Sequence, residues 1–162
     1  MKLLKNFFFD LVLILSIFFL DRISKIYVIN FAQNNFNNNI YNSEYLDLTL
    51  IWNEGIAFGL MSFENNLYYN ILTFIIIIIT IIVLIIGLKN TGLKRYSLLS
   101  IFAGSLGNLY DRLFYNAVPD FIDFHINNFH WFIFNVADIF ISIGVIIMIM
   151  TEFFVKKGAS NA

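Results

Sequence analysis

The side chains able to do chemistry in this chain are chiefly carboxylates, and most stand near the ends of long apolar stretches. A charge at mid-bilayer costs roughly 2.5–3.5 kcal/mol on insertion scales, so ionisable residues in such stretches are the informative ones. Asp21 and Lys25 are four residues apart, share a helix face and can pair. Asp111 and Arg112 close another stretch, and Asp138 follows Asn135 by three residues at the start of the last, on one helical face. Asp120 and Asp123 lie in the short connection before it. Two carboxylates held close together do not both ionise, so one keeps its proton and the pair divides into an acid and a base. Such a pair at a water–lipid boundary could activate a water against a carbonyl and protonate the departing amine. Asp120 and Asp138 flank a connection short enough to fold them together. The competing reading is that each aspartate is solvated or caps a helix, and Asp138 is placed to cap the last one. Spacing alone leaves the two readings level.

Other chemistries have less support. There is no cysteine, which removes disulfides, thiolate metal sites and cysteine nucleophiles. The two histidines, His125 and His130, lack the HExxH spacing, so a histidine-built zinc site is not expected and both read as surface residues of a watery loop. No serine stands as a nucleophile beside them; Ser24 and Ser105 read as helix–helix hydrogen bonders. Asp123 is the rival of Asp120. In an extended segment it points away from Asp120, in a helical one to the same side.

These residues need elements to hold them. The chain is 59% hydrophobic and only 13% charged, with a mean hydropathy of +0.77. A soluble domain carries about a quarter charged residues, so the outer face here must be lipid. A net charge of −1 gives no electrostatic case for nucleic acid. Four stretches, about 7–29, 67–88, 96–114 and 132–155, approach the ~20 residues that span a hydrocarbon core as a helix. Asp10 interrupts the first and no small-residue cleavage site follows it, so it reads as a retained span. Lys2, Lys5, Lys89, Lys94, Arg95, Lys156 and Lys157 flank the spans on one side, whereas the connections at about 30–66 and 115–131 carry no Lys or Arg. By the positive-inside rule the basic side and both termini are cytoplasmic. Tyr27, Tyr68, Tyr69, Tyr115 and Trp131 fit an aromatic belt at the outer boundary.

The first outer connection divides in two. Residues 33–42, rich in asparagine, read as a floppy link. Residues 45–52 alternate with Leu46, Leu48 and Leu50 on one face, and Asn53-Glu54-Gly55 signals a turn, which predicts a small β element at about 45–60. Gly104, Gly107, Asn108 and Asp111 form a stripe on the third span. The glycines suit close helix packing, whereas Asn108 and Asp111 need protein rather than lipid to face. The expected architecture is an all-α integral membrane protein, one domain over 1–162, with four transmembrane helices and a small extracytoplasmic β element between the first two.

Five segments, in order and over essentially the whole chain, resemble the prolipoprotein signal peptidase (signal peptidase II) family. They are Asp21-Arg-Ile-Ser-Lys25, Asn53-Glu-Gly-Ile-Ala-Phe58, Gly104-Ser-Leu-Gly-Asn-Leu-Tyr-Asp-Arg112, Val118-Pro-Asp-Phe121 and Phe134-Asn-Val-Ala-Asp138. The resemblance implies a membrane aspartic endopeptidase of the bacterial inner membrane. It removes the signal peptide from prolipoproteins whose cysteine carries a thioether-linked diacylglycerol, cleaving on the amino side of that cysteine. It implies that Asp120 and Asp138 are catalytic, which favours Asp120 over Asp123, and that Lys25, Asn53, Gly55, Asn108, Arg112, Asn135 and Ala137 line or support the site. Asp21 would brace Lys25, and the β element would cover the substrate. Pro119 departs from the family's more usual aliphatic residue, fixing φ and removing an N–H beside Asp120. Ser105 replaces a common alanine.

No metal or cofactor is expected, since dyad chemistry needs only water, and the partners would be lipid and lipidated substrate, with the chain a monomer. Two other classes compete. A proton- or cation-coupled carrier would use the buried Asp21, Lys25, Asp111 and Arg112, but the charges gather at one surface and no repeated half is visible. A non-catalytic membrane subunit would use the Gly104 stripe for assembly alone.

Overall fold

The computed structural model describes the backbone of residues 2–55, 66–127 and 129–160, with side chains for 7–55, 67–127 and 129–153. Ile56, Ala57 and Phe58 of the second motif, the end of the expected β element, and the side chains of Lys2, Lys5, Lys156 and Lys157 lie outside the described residues. The described residues run α1 (Lys2–Asn35), β1 (Asn39–Tyr41), β2 (Leu46–Asn53), α2 (Asn66–Lys89), α3 (Gly92–Tyr115), β3 (Val118–Ile126), β4 (Phe129–Phe134) and α4 (Val136–Ser160). The protein is mostly helical, with one antiparallel sheet in the order β1-β2-β3-β4.

Two of the helices, over Leu67–Lys89 and Val136–Phe153, are long and apolar enough to cross a membrane by length and composition. Their outward faces present Ile75, Ile78, Ile79, Ile82, Ile143 and Ile146. α3 is the hub, packed against α1, α2 and α4. Its small residues permit this. A Cβ on Gly104 would sit 2.6 Å from the Ala137 carbonyl oxygen, and one on Gly107 would sit 2.6 Å from an Asp21 carboxylate oxygen. Both distances are too short for a side chain, so the glycines let α4 and α1 lie directly on α3.

α1 has 34 residues, about 51 Å of helix, which exceeds a ~30 Å hydrocarbon core. The excess supports the sheet: Val28 and Ala32 form a buried cluster with Leu50 of β2 and Phe121 of β3. The helix ends with Phe36 in the left-handed region (φ 48°) and the Asn37 N–H donating to the Ala32 carbonyl at 3.2 Å, a Schellman-type stop.

The structure corrects four expectations. The asparagine-rich segment is no floppy link. Residues 33–35 complete α1, and Asn39–Tyr41 forms β1 on the edge of β2. The asparagines supply the turn: the Asn37 side chain accepts from the Asn39 N–H at 2.9 Å, and the Leu50 N–H donates to the Asn38 carbonyl at 2.9 Å. Second, the sheet draws on both the 30–66 and the 115–131 connection, because β3 and β4 form a hairpin in place of the plain loop expected in the latter. α4 therefore starts at Val136, and Phe132 to Phe134 are strand. A short apolar run does not distinguish a strand from the end of a helix. Third, Tyr69 is buried rather than belted, with the Arg112 guanidinium 5.7 Å from its ring. Tyr27, Tyr68, Tyr115 and Trp131 are exposed. Fourth, the Ser24 hydroxyl donates to the Asp21 carbonyl of its own helix at 2.8 Å and, among the described residues, bonds to no other helix.

Candidate active site

Polar residues contributed by α1, β2, α3, β3 and α4 form one connected network. At its base lies an ion cluster. The Arg22 guanidinium donates through both terminal nitrogens to Asp111, at 2.5 and 2.7 Å, and through one of them to Asp21 at 2.7 Å. Lys25 Nζ reaches Asp111 at 2.7 Å and Asp21 at 3.0 Å. Asp21, Lys25 and Asp111 are fully buried. Two cations and two carboxylates cancel formally, the condition under which ions survive in a low-dielectric interior. Arg22 also lies 4.8 Å from the Tyr110 ring centre, within cation–π range.

From this cluster a chain of amides leads outward. Lys25 Nζ donates to the Asn108 side-chain oxygen at 2.8 Å, and the Asn108 Nδ2 donates to Asp138 at 2.8 Å. Asp138 and Asn135 cap one another. The Asn135 N–H donates to the Asp138 carboxylate and the Asp138 N–H to the Asn135 side-chain oxygen, both at 3.2 Å. This is a reciprocal capping box at the α4 N-terminus, with Asn and Asp in place of the usual Ser/Thr and Glu. The second α4 residue, Ala137, donates its N–H to Asp21 at 3.0 Å, so the ion cluster also holds the helix start.

Asn135 then bridges the two outer carboxylates. Its Nδ2 donates to Asp120 at 2.6 Å while its backbone N–H holds Asp138. The other Asp120 oxygen accepts from Asn53 Nδ2 at 2.9 Å, and the Asn53 side-chain oxygen accepts the Gly55 N–H at 2.9 Å. The Gly55 carbonyl accepts from Arg112 at 2.6 Å. Both amides are thus fixed in orientation by a second bond, which settles which end of each faces Asp120. Burial and, secondly, the negative charge of Asp138 push the Asp120 carboxyl up to about 6 from its ordinary 3.8, against the opposing pull of Asn53, Asn135 and Lys25.

Local sequence accounts for this presentation. Asn116, left-handed at φ 56°, ends α3 and turns the chain into β3. Pro119 pairs with Trp52 of β2, while pairing to β4 starts only at Ile122. The proline's missing N–H therefore falls where β3 has a neighbour on one side alone, a place that tolerates it. Asp123 lies three residues on in the same extended strand, on the opposite face from Asp120, and its carboxylate meets His130 Nδ1 at 2.8 Å.

Two participants escape sequence reasoning. Arg22 is legible there only as a cation near the end of a span, and the signal for its role is its adjacency to Asp21 inside a motif. Asp10, which merely interrupts an apolar run, is buried and bound by Arg95 of α3 at the other end of the helices.

The arrangement brings two carboxylates around one asparagine with a compensated ion cluster beneath them. The family model described as signal peptidase (SPase) II matches residues 13–154. A lipoprotein signal peptidase of Pelagibacter ubique (strain HTCC1062) is 48% identical over 158 residues, 98% of this chain and 95% of the relative. One from Anaplasma phagocytophilum (strain HZ) is 41% identical over 136 residues, 82% of this chain and 84% of the relative. A bacterial membrane enzyme solved by the in meso method at 2.3 Å resolution superposes with a TM-score of 0.69 at 26% identity, covering 94% of this chain and 90% of that one. The chain belongs to the signal peptidase II family.

Proposed function

We propose that this protein is a membrane aspartic endopeptidase in which Asp120 and Asp138 form the catalytic dyad. Cleavage of signal peptides from prolipoproteins follows from the family and its named relatives. The finer reading rests on one observation: two buried carboxylates are joined through Asn135, and the hydrogen bonds to Asp120 come from the neutral amides of Asn53 and Asn135 rather than from a cation. Asp120, pushed up to about 6, is the partner that keeps the shared proton. Asp138 accepts a proton from a water as that water attacks the scissile carbonyl carbon. Asp120 donates its own to the carbonyl oxygen. Collapse of the tetrahedral intermediate returns a proton to the leaving amine, which is the amino group of the lipidated cysteine. Lys25, Asn108, Asn135 and Asn53 orient the carboxylates, and Asp21, Arg112, Gly55 and Ala137 hold the elements that carry them.

The membrane reading extends this. We take α1 to α4 as four spans of a single membrane domain, 1–162, with both termini cytoplasmic and the dyad at the extracytoplasmic boundary, where the sheet sits. The Lys and Arg asymmetry of the connections supports that orientation. An apolar groove of about 400 Å³ lined by Trp131, Phe132, Phe134, Ile139 and Ile143 includes Asp138 in its wall. It suits an acyl chain entering from lipid with the scissile bond held near the dyad. The chain works as a monomer. The test is cleavage of a diacylglyceryl prolipoprotein by purified protein in detergent, comparing wild type with Asp120→Asn and Asp138→Asn. Equal cleavage by all three would end the dyad reading.

A further inference from the structure

Asp123, His125 and His130 have no part in the dyad, and the hairpin gathers them on its other face. Asp123 and His125 are two apart on β3, so they share a side, and His125 stands directly opposite His130 on β4. The two imidazoles stack with centres 5.0 Å apart at 25°. One potential ligand atom from each of the three residues lies within 4.8 Å of the others. Sequence spacing carries no such hint, because two histidines a helical turn apart are the local signature of a metal pair and a hairpin places its ligands differently.

The hydrogen bonding is incomplete. Asp123 Oδ2 meets His130 Nδ1, but Asp123 Oδ1 and His125 Nδ1 are both buried with no partner among the described residues. The Asp123 residue is only 7% exposed. Leaving a buried donor or acceptor unmet costs about 1–3 kcal/mol each, and two of them fall within this one cluster. One cation bound by both residues would satisfy both. Two imidazoles and a carboxylate are the donor set that zinc accepts, with bonds of about 2.0–2.2 Å and ligand atoms about 3.3 Å apart in a tetrahedron. Reaching that spacing requires the two rings to turn out of their stack so that one nitrogen of each faces the ion. Asp47, in register with Asp123 on β2, adds a second acidic residue to the same face. His130 is half exposed, which gives an ion a way in and leaves a position for water.

We propose that Asp123, His125 and His130 bind one Zn²⁺ on the hairpin face away from Asp120. The ion would clamp β3 to β4. It takes no part in peptide cleavage.

The test uses full-length protein in detergent, with any histidine tag removed and metal stripped by chelator, titrated with Co²⁺ and then Zn²⁺. One equivalent of Co²⁺ should give d–d absorption that Zn²⁺ displaces, and Zn²⁺ should raise the thermal unfolding midpoint. His125→Ala and His130→Ala should each weaken binding roughly tenfold or more, while Asp120→Asn binds as wild type does. Prolipoprotein cleavage by the histidine variants shows that they are folded. Absence of saturable binding by wild type, or undiminished binding by the double histidine variant, would overturn the proposal.

Discussion

Asp111 and Asp120 are both buried aspartates of one hydrogen-bonded network, yet Asp111 is met by Arg22 and Lys25 while Asp120 is met by the amides of Asn53 and Asn135. The residue type is the same and the partners divide the roles. A carboxylate clamped by two cations serves as a structural anchor. One that receives only neutral donors, beside another carboxylate, is left able to exchange a proton near neutral pH. Asn108 links the two regions, accepting from Lys25 and donating to Asp138. The cation-held half therefore sets the position of the amide-held half without neutralising it.

If that division holds, substitutions in the two halves fail in different ways. The largest effect is on turnover. Asp120→Asn and Asp138→Asn should each lower kcat for prolipoprotein cleavage by about 10³-fold or more, in the upper range for positioned acid–base groups. Thermal unfolding should stay cooperative, and a gel-shift time course measures the loss. Next comes Asp111→Asn, which leaves Arg22 and Lys25 to share Asp21. Breaking a buried ion pair on one side costs about 3–5 kcal/mol, read as a fall in the unfolding midpoint in detergent. Adding Arg22→Gln should cost less than the two single changes summed, because the double variant removes the stranded charge. An Asp111→Asn protein as stable as wild type would show that the cluster is not an anchor.

The pH dependence distinguishes the halves a third way. Asp120 is pushed up to about 6 in the folded protein against an ordinary 3.8. Between those values the folded state binds more protons than the unfolded one, so this group's contribution makes stability fall as pH rises from about 4 to about 6. The gap corresponds to at most about 3 kcal/mol. Chemical denaturation at pH 4.5 and 7 should show this decline in wild type and lose that part of it in Asp120→Asn. If the acid form of Asp120 is the reactive one, as proposed, kcat/KM should also fall above about pH 6.

Much of this division is legible in the residues alone. Asp21 with Lys25 and Asn135 with Asp138 are helix-face pairs that spacing reveals, and apolar length locates all four helices, α2 almost to the residue and the others with ends that run several residues off. Each miss has a physical cause. β4 is an apolar, aromatic segment next to a longer apolar run, so Phe132 to Phe134 read as part of the helix that follows them. The asparagine tract looks featureless because its order comes from tertiary burial of Val28 and Ala32 and from backbone pairing, neither of which leaves a composition signal. The Arg22–Asp111 pair joins residues 89 apart, a separation that no local pattern encodes.

A smaller perturbation tests the amides directly. Asn53→Ala removes one of the two side-chain donors to Asp120, and that bond favours the ionised form. Its loss should raise the Asp120 pKa further and carry the alkaline limb of kcat/KM upward by up to about one pH unit, with about 1 kcal/mol of stability lost. A limb that moved down would show that the amide holds the protonated form instead.

The smallest effect belongs to the third outer aspartate. Asp123 shares a strand with Asp120 and is also buried, but the alternation of β3 turns it to the other face, where its partner is His130. If orientation and partners decide function, Asp123→Asn should cleave prolipoprotein within about twofold of wild type, since only one hydrogen bond worth about 1 kcal/mol, remote from the dyad, is disturbed. The comparison is made on metal-stripped protein, so that any ion held by the hairpin does not enter it. A folded Asp123→Asn protein without activity would move the proton exchange from Asp120 to Asp123 and undo the contrast between the amide-held and cation-held carboxylates.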